Sequence, residues 1–276
     1  MSQAALESVL RRDRLIISLA LAAVTLLAWA YILRMASQMS MGGMDMTGFR
    51  MAVTAAGMVM MPALQAWSRT EFTFTFMMWA VMMIGMMTPS AAPIIIMYAR
   101  VGRQAASRGQ PFASTGWFLS GYILVWTAFS LAATIAQWAL DRAALLTSAM
   151  ASASTILASA VLIAAGVYQW TPLKDQCLRH CQLPIEFIMR HGGFRRQPLG
   201  SLRLGVRHGS YCVGCCWAMM ALLFVGGVMN VLWIAFIAAL VLLEKLIRSR
   251  SRHLIPRVAG TVFVLAGMWV LVAGKA

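Results

Sequence analysis

From residue 15 to residue 33 the chain runs without a charge, and runs of this kind recur to its end. A helix rising about 1.5 Å per residue needs about 20 apolar residues to cross the hydrocarbon of a bilayer. Water cannot serve the backbone there, so such runs are confined to helices that satisfy their own N–H and C=O groups. Only 11% of the 276 residues are charged and 61% are hydrophobic; a soluble domain carries about twice that share of charge. The expected fold is all-α, a polytopic helical membrane protein with about seven transmembrane helices. The spans are read at residues 15–33, 74–98, 114–140, 154–170, 211–225, 231–247 and 258–273. Gly226, Gly227 and Asn230 mark a turn between the fifth and sixth, and one long tilted helix across 211–247 is the alternative.

Charge sets the orientation. The formal net charge is +15, and in a membrane protein excess Lys and Arg mark cytoplasmic loops. With seven spans and a cytoplasmic N-terminus, 18 of the 23 basic residues fall inside; Arg34, Arg50, Arg69, Arg142 and Lys275 fall outside. The first run is read as a retained helix, because its apolar core is longer than that of a signal peptide. No basic helix stands outside the apolar runs, which excludes a nucleic-acid reader. The expected partner of most of the chain is the lipid bilayer, and the expected location is a bacterial-type inner (plasma) membrane. Residues 1–73 form a first helix plus a Met-rich outer loop. Residues 74–276 form a six-helix membrane domain with a Cys- and His-bearing cytoplasmic loop at 171–209.

The 23 methionines are clustered. Met35, Met39, Met41, Met44 and Met46 sit among Gly, Ser and Gln, where burial explains them poorly. A thioether has no proton to lose and forms no disulfide, so it suits Cu(I) in an oxidising compartment. Residues 51–67 are apolar but short and broken by Pro62, which suggests a segment lying along the outer interface. In the second span Met78, Met82 and Met86 follow i, i+4, i+8, with Met83 and Met87 on a neighbouring stripe. Helical geometry stacks such side chains about 5 Å apart, as a ladder for a soft cation or as a packing face. Pro89 and Pro93 predict a kink in this helix.

The cysteines carry the sharper signal. His208, Cys212 and Cys215 follow i, i+4, i+7, and Cys216 and Met219 continue the stripe. A helix would then offer an imidazole, two or three thiols and a thioether on one face, a soft set suited to Cu(I). Cys177 and Cys181 are one turn apart with His180 between them, a candidate second site; His191 by itself reads as a surface histidine. All five cysteines and three of the four histidines lie within residues 177–216. Thiols on the cytoplasmic side stay reduced and available to metal.

Several longer motifs are similar to a known family. They are Met77-Met78-Trp79-Ala80-Val81-Met82-Met83, Met86-Met87-Thr88-Pro89-Ser90-Ala91-Ala92-Pro93, Pro172-Leu173-Lys174-Asp175-x-Cys177-Leu178-x-His180-Cys181, Gly205-x-x-His208-Gly209-x-Tyr211-Cys212-x-Gly214-Cys215-Cys216-Trp217, and Glu244-Lys245. They resemble the predicted metal-binding integral membrane proteins, long catalogued as a domain of unknown function. A membrane copper chaperone linked to tyrosinase maturation is associated with that family. The resemblance covers the chain from about residue 74 onward and implies copper handling.

The expected function is therefore a membrane copper(I)-binding protein, a transporter or chaperone. Copper would be captured at Met35, Met39, Met41, Met44 and Met46, pass Met78, Met82 and Met86, and reach His208, Cys212, Cys215 and Cys216. Its partner would be a copper-dependent oxidase or a soluble metallochaperone. No ATPase signature such as a P-loop is visible, and no catalytic residue is assigned. Two alternatives come from other classes. One is a transmembrane thiol–disulfide oxidoreductase, with Cys177 and Cys181 exchanging with Cys212 and Cys215. The other is a structural subunit of a larger membrane complex. The orientation is open to labelling: a membrane-impermeant thiol reagent should reach Cys177 only from the cytoplasmic side, and labelling from outside would overturn the topology.

Overall fold

The computed structural model describes residues 3–41, 49–54, 57–62, 67–109, 114–147, 150–194, 196–247 and 253–274. The long helices are α1 (Gln3–Met41), α2 (Arg69–Ser107), α3 (Thr115–Arg142), α7 (Pro198–Ala221) and α10 (Leu254–Ala273). Shorter ones are α4 (Thr155–Tyr168), α5 (Pro172–Gln182), α6 (Pro184–Arg190), α8 (Leu223–Gly226) and α9 (Val231–Leu246). Outside the helical body, β1 (Phe49–Thr54) pairs antiparallel with β2 (Gly57–Pro62), Phe49 opposite Pro62 and Thr54 opposite Gly57. A run too short to span thereby satisfies part of its backbone in a ladder.

Among the described residues five helices, not seven, are long and apolar enough to cross a membrane; counting α4 and α5 as one span bent by 65° makes six. This is compatible with a membrane protein, and the reduction has local causes. Helix α4 has 14 residues and α9 has 16, about 21 and 24 Å against a hydrocarbon core of about 30 Å. Thr171 and Pro172 end the first apolar run: the Thr171 hydroxyl accepts from Lys174 N and Pro172 occupies the first helical position of α5. The second is delayed by Gly227, whose φ of 95° favours glycine, and by Asn230, whose side chain caps α9 through Trp233 N. The chain from 211 to 247 is thus the end of α7, the one-turn α8, a short turn and α9, with no single tilted helix. Helix α2 runs unbroken through Pro89 and Pro93. The methionine stretch begins as helix, because α1 continues to Met41. Met44 and Met46, and the side chains of Met39 and Met41, lie outside what the structure describes.

Helix α7 is the centre of the packing, with α3 along one side and α5 along another. Helix α2 lies against α3 and α1, α4 pairs with α10, and α9 touches α2, α5 and α7. The α3–α7 crossing is made by glycine. A Cβ at Gly121 would collide with the Leu202 carbonyl, and one at Gly205 with the Phe118 carbonyl. Small residues permit this approach where lipid supplies no hydrophobic drive between helices.

The crossing can be tested in detergent by thermal unfolding. Gly205→Ala should lower stability by about 1–3 kcal/mol, because the opposing atom is backbone and cannot yield. Gly116→Ala, which meets nothing closer than Ser114 Oγ at 3.6 Å, should be neutral.

Candidate metal centre

Helix α7 starts at Pro198 and carries its chemistry in the middle. Cys212, Cys215 and Cys216 are each within 2% of full burial, and His208 is 3% exposed one turn earlier. The Cys215 and Cys216 thiols donate back to the Cys212 carbonyl at 3.1 and 2.8 Å, which fixes both on the Cys212 face. Helix α5 lies against this face. Cys181 Sγ stands 3.9 Å from Cys215 Sγ. Cys177 lies against Gly214, where a Cβ would sit 2.8 Å from its sulfur. Helix α2 adds a thioether, with Met87 Sδ 4.0 Å from Cys216 Sγ.

Two polar groups reach the same place. Tyr122 OH is 3.2 Å from Cys212 Sγ and also donates to the Met87 carbonyl. The Lys245 ammonium donates to Cys212 Sγ at 3.0 Å and to Ser90 Oγ at 3.0 Å. Four helices, α2, α3, α7 and α9, therefore converge on Cys212.

A second buried network sets the place of α5. Lys174, 1% exposed, donates to Glu244 Oε2 at 2.7 Å and to Gln169 Oε1. Gln182 at the far end of α5 donates to the Glu244 carbonyl at 2.6 Å. Both ends of α5 are thus tied to the end of α9. At the bend, Tyr168 OH donates to the Gly214 carbonyl at 2.5 Å.

The remaining sequence-proposed ligands are distributed as follows. Met78, Met82, Met83 and Met86 are all buried and belong, with Met87, to the same apolar cluster as the cysteines. Met35 packs against that cluster from α1. His208 is boxed by Phe187, Tyr122 and Phe118 at ring separations of 5.1, 5.8 and 6.0 Å, and its Nδ1 makes no hydrogen bond. His180 stacks on Tyr211 at 4.1 Å with planes 5° apart, while Cys181 meets Cys215. The Cys177, His180 and Cys181 trio thus divides between two neighbourhoods. Among the described residues, no three His, Cys, Asp or Glu side chains stand together as a preformed metal-binding group. Sulfur from methionine is needed to enlarge the set.

The sequence reading missed Tyr122 and Lys245 as members of this centre. Tyr122 gave no signal, since its neighbours are apolar on both sides. Lys245 did, as half of a charged pair, Glu244-Lys245, at the end of an apolar run.

A family model described as PpoB2, copper chaperone, matches residues 76–270. The chain belongs to this copper chaperone family. Neither a curated protein nor a solved structure matches it. The matched region runs from early α2 to the last turns of α10, so it takes in the whole sulfur cluster and both buried lysines. It leaves out α1 and the methionines at 35–46. Membership gives the chain a copper-related function, and the donor chemistry agrees: thiol and thioether sulfur is a soft set that favours Cu(I) over Mg²⁺ or Ca²⁺.

The ion pair behind the cluster makes a testable demand. Lys174→Met should destabilise the detergent-solubilised protein by about 3–5 kcal/mol, since it leaves Glu244 buried without its cation. Lys174→Met combined with Glu244→Met should recover much of that loss in thermal unfolding. A single variant with unchanged stability would show that the pair does not hold α5.

Proposed function

We propose that the chain is a membrane copper chaperone whose cargo, Cu(I), is held by two thiolates drawn from Cys181, Cys212, Cys215 and Cys216, with Met87 as a thioether donor. The observation that carries this reading is a run of sulfur contacts between helices, Cys181 against Cys215 at 3.9 Å and Cys216 against Met87 at 4.0 Å, with Cys212 on the same face of α7. All of it lies inside the family-matched region, and all but the half-buried Cys181 is buried. Charge balance supports it. Two thiolates on Cu(I) leave one negative charge, and the Lys245 ammonium is already in contact with Cys212 to offset it. An ionic group in so dry a place needs such a partner. Binding converts thiols to thiolates, so protons leave as copper arrives.

The reading extends in two directions. Met78, Met82, Met83 and Met86 continue the line of sulfur along α2, and Met35, Met39, Met41, Met44 and Met46 would take up or release copper at the far end. Cys177 and His208, adjacent to the cluster, are reserve donors. Copper would pass by ligand exchange to or from a copper-dependent oxidase or a soluble metallochaperone, with the chain resident in a bacterial-type inner membrane. Thiol–disulfide exchange with another protein is disfavoured by burial. Cys212, Cys215 and Cys216 are nearly inaccessible, and a partner's thiolate must reach the sulfur it attacks.

Metal content of the reduced, detergent-purified protein decides the matter. Loaded with Cu(I) and desalted, the wild type should retain about one copper per chain in a sulfur-rich environment. The variant with Cys212, Cys215 and Cys216 all changed to Ser should retain none at that site. A wild type that holds no copper after loading would sink the reading.

A further inference from the structure

Helices α5 and α6 bring together two imidazoles that the sulfur cluster does not involve. His180 lies in the last turn of α5, and His191 is the residue that ends α6. Leu183 closes one helix and opens the next. The chain doubles back there, and the two ring centroids stand 6.0 Å apart. Two imidazoles sharing one ion, with metal–nitrogen bonds of about 2.0 Å, place their centroids roughly 5 to 6.5 Å apart.

The rings are also held in the same way. His180 Nδ1 lies 2.8 Å from the Gln176 carbonyl, and His191 Nδ1 lies 2.7 Å from the Phe187 carbonyl. A carbonyl can only accept, so in the neutral rings Nδ1 carries the hydrogen and Nε2 the lone pair. Metal-binding histidines are oriented by this kind of contact. Aromatic neighbours set the planes: His180 stacks on Tyr211, and His191 lies 4.6 Å from Phe187. Arg196, Arg203 and Arg207 share a second recess with His191, while Arg179 and Arg190 are compensated within their own helices, by Asp175 at 2.9 Å and Glu186 at 2.7 Å. A cation is therefore not met by uncompensated positive charge from these two.

Access and continuity follow the same line. His180 opens on a recess of about 330 Å³ with Gln176, Glu186 and Phe187, while both histidines are only half-buried. On the inner side the Phe187 ring has His191 on one flank and His208 on another, at 4.6 and 5.1 Å. His208 is one turn from Cys212 along α7. The order from solvent inward is His180 and His191, then His208, then the thiols.

We propose that His180 and His191 form a two-imidazole copper site at the mouth of the centre, separate from the thiol cluster, where the ion is exchanged with the aqueous side. Two neutral nitrogens hold Cu(I) less tightly than thiolates do, which suits a site that must give up its ion. The inference rests on copper being the cargo, as proposed above.

The test is a titration of the reduced, detergent-purified full chain with Cu(I) against a chromophoric chelator, with X-ray absorption at each equivalent. The wild type should show a tight class with sulfur scatterers and a weaker class with nitrogen scatterers. His180→Gln and His191→Gln should each weaken the second class at least tenfold and leave the first unchanged. The intact first class also reports that the variant is folded. Persistence of the weaker class in both variants, or its absence from the wild type, overturns the imidazole site. A wild type with only the weaker, histidine-dependent class would instead refute the thiol cluster and leave this site standing.

Discussion

The ammonium of Lys174, sealed between Glu244 and Gln169, is the contact on which the rest of the centre depends. Helix α5 is too short and too polar to hold a place in an apolar bundle by burial alone. Its position comes from charge: Lys174 fastens its first turn to the end of α9, and Gln182 fastens its last to the carbonyl of the same Glu244. Between those two ties lie Cys177 and Cys181, which are thereby pressed against Gly214 and Cys215. A buried ion pair is weak evidence of net stability. Its use here is positional, since an apolar replacement could fill the same volume without fixing which face of α5 meets α7.

The second lysine makes a different kind of sense. Lys245 follows Glu244 in the chain, yet it points to the other side of α9, to Ser90 and Cys212, where no carboxylate among the described residues pairs with it. A buried ammonium whose acceptors are a hydroxyl and a sulfur is a costly thing to keep. It becomes economical to the fold once the sulfur beside it carries negative charge, as metal-bound thiolates do. On the proposed reading, Lys174 of α5 serves the scaffold and Lys245 of α9 serves the cargo, and the end of α9 receives the one through Glu244 and supplies the other.

What the sequence made legible was whatever repeats locally. The stripe of His208, Cys212, Cys215 and Cys216 is a property of one helix, and α7 places those residues on one buried face. The same holds for the five buried methionines of α2. The break at Gly227 and Asn230 was visible because turn chemistry is local as well. Long-range pairings were not legible: that Cys181 meets Cys215 while His180 turns to Tyr211 depends on how α5 is tied to α9. Tyr122 sits in an uninterrupted apolar run, and nothing near it hints at a sulfur partner 90 positions away. The number of spans was overcounted for a related reason. Hydropathy registers apolar residues, but Thr171 with Pro172 and Asn230 start new helices within the apolar runs, and those breaks leave α4 and α9 short of a bilayer's thickness.

The two sides of the centre differ in stiffness, and the difference bears on how an ion could move through it. On the α7 side, glycine brings the backbone of α3 into contact with that of α7, which fixes Tyr122 over Cys212 and leaves the helices no slack. The cysteines there have one rotatable bond each, and two of them are tied to the Cys212 carbonyl. On the α2 side the donors are methionines, unbranched and adaptable, with three rotatable bonds apiece. A rigid thiol wall facing pliable thioethers allows an ion to be held by the first and drawn away by the second without the helices separating. Exchange of one sulfur for another then needs only a side-chain turn, which a close-packed bundle can permit where it could not permit a hinge.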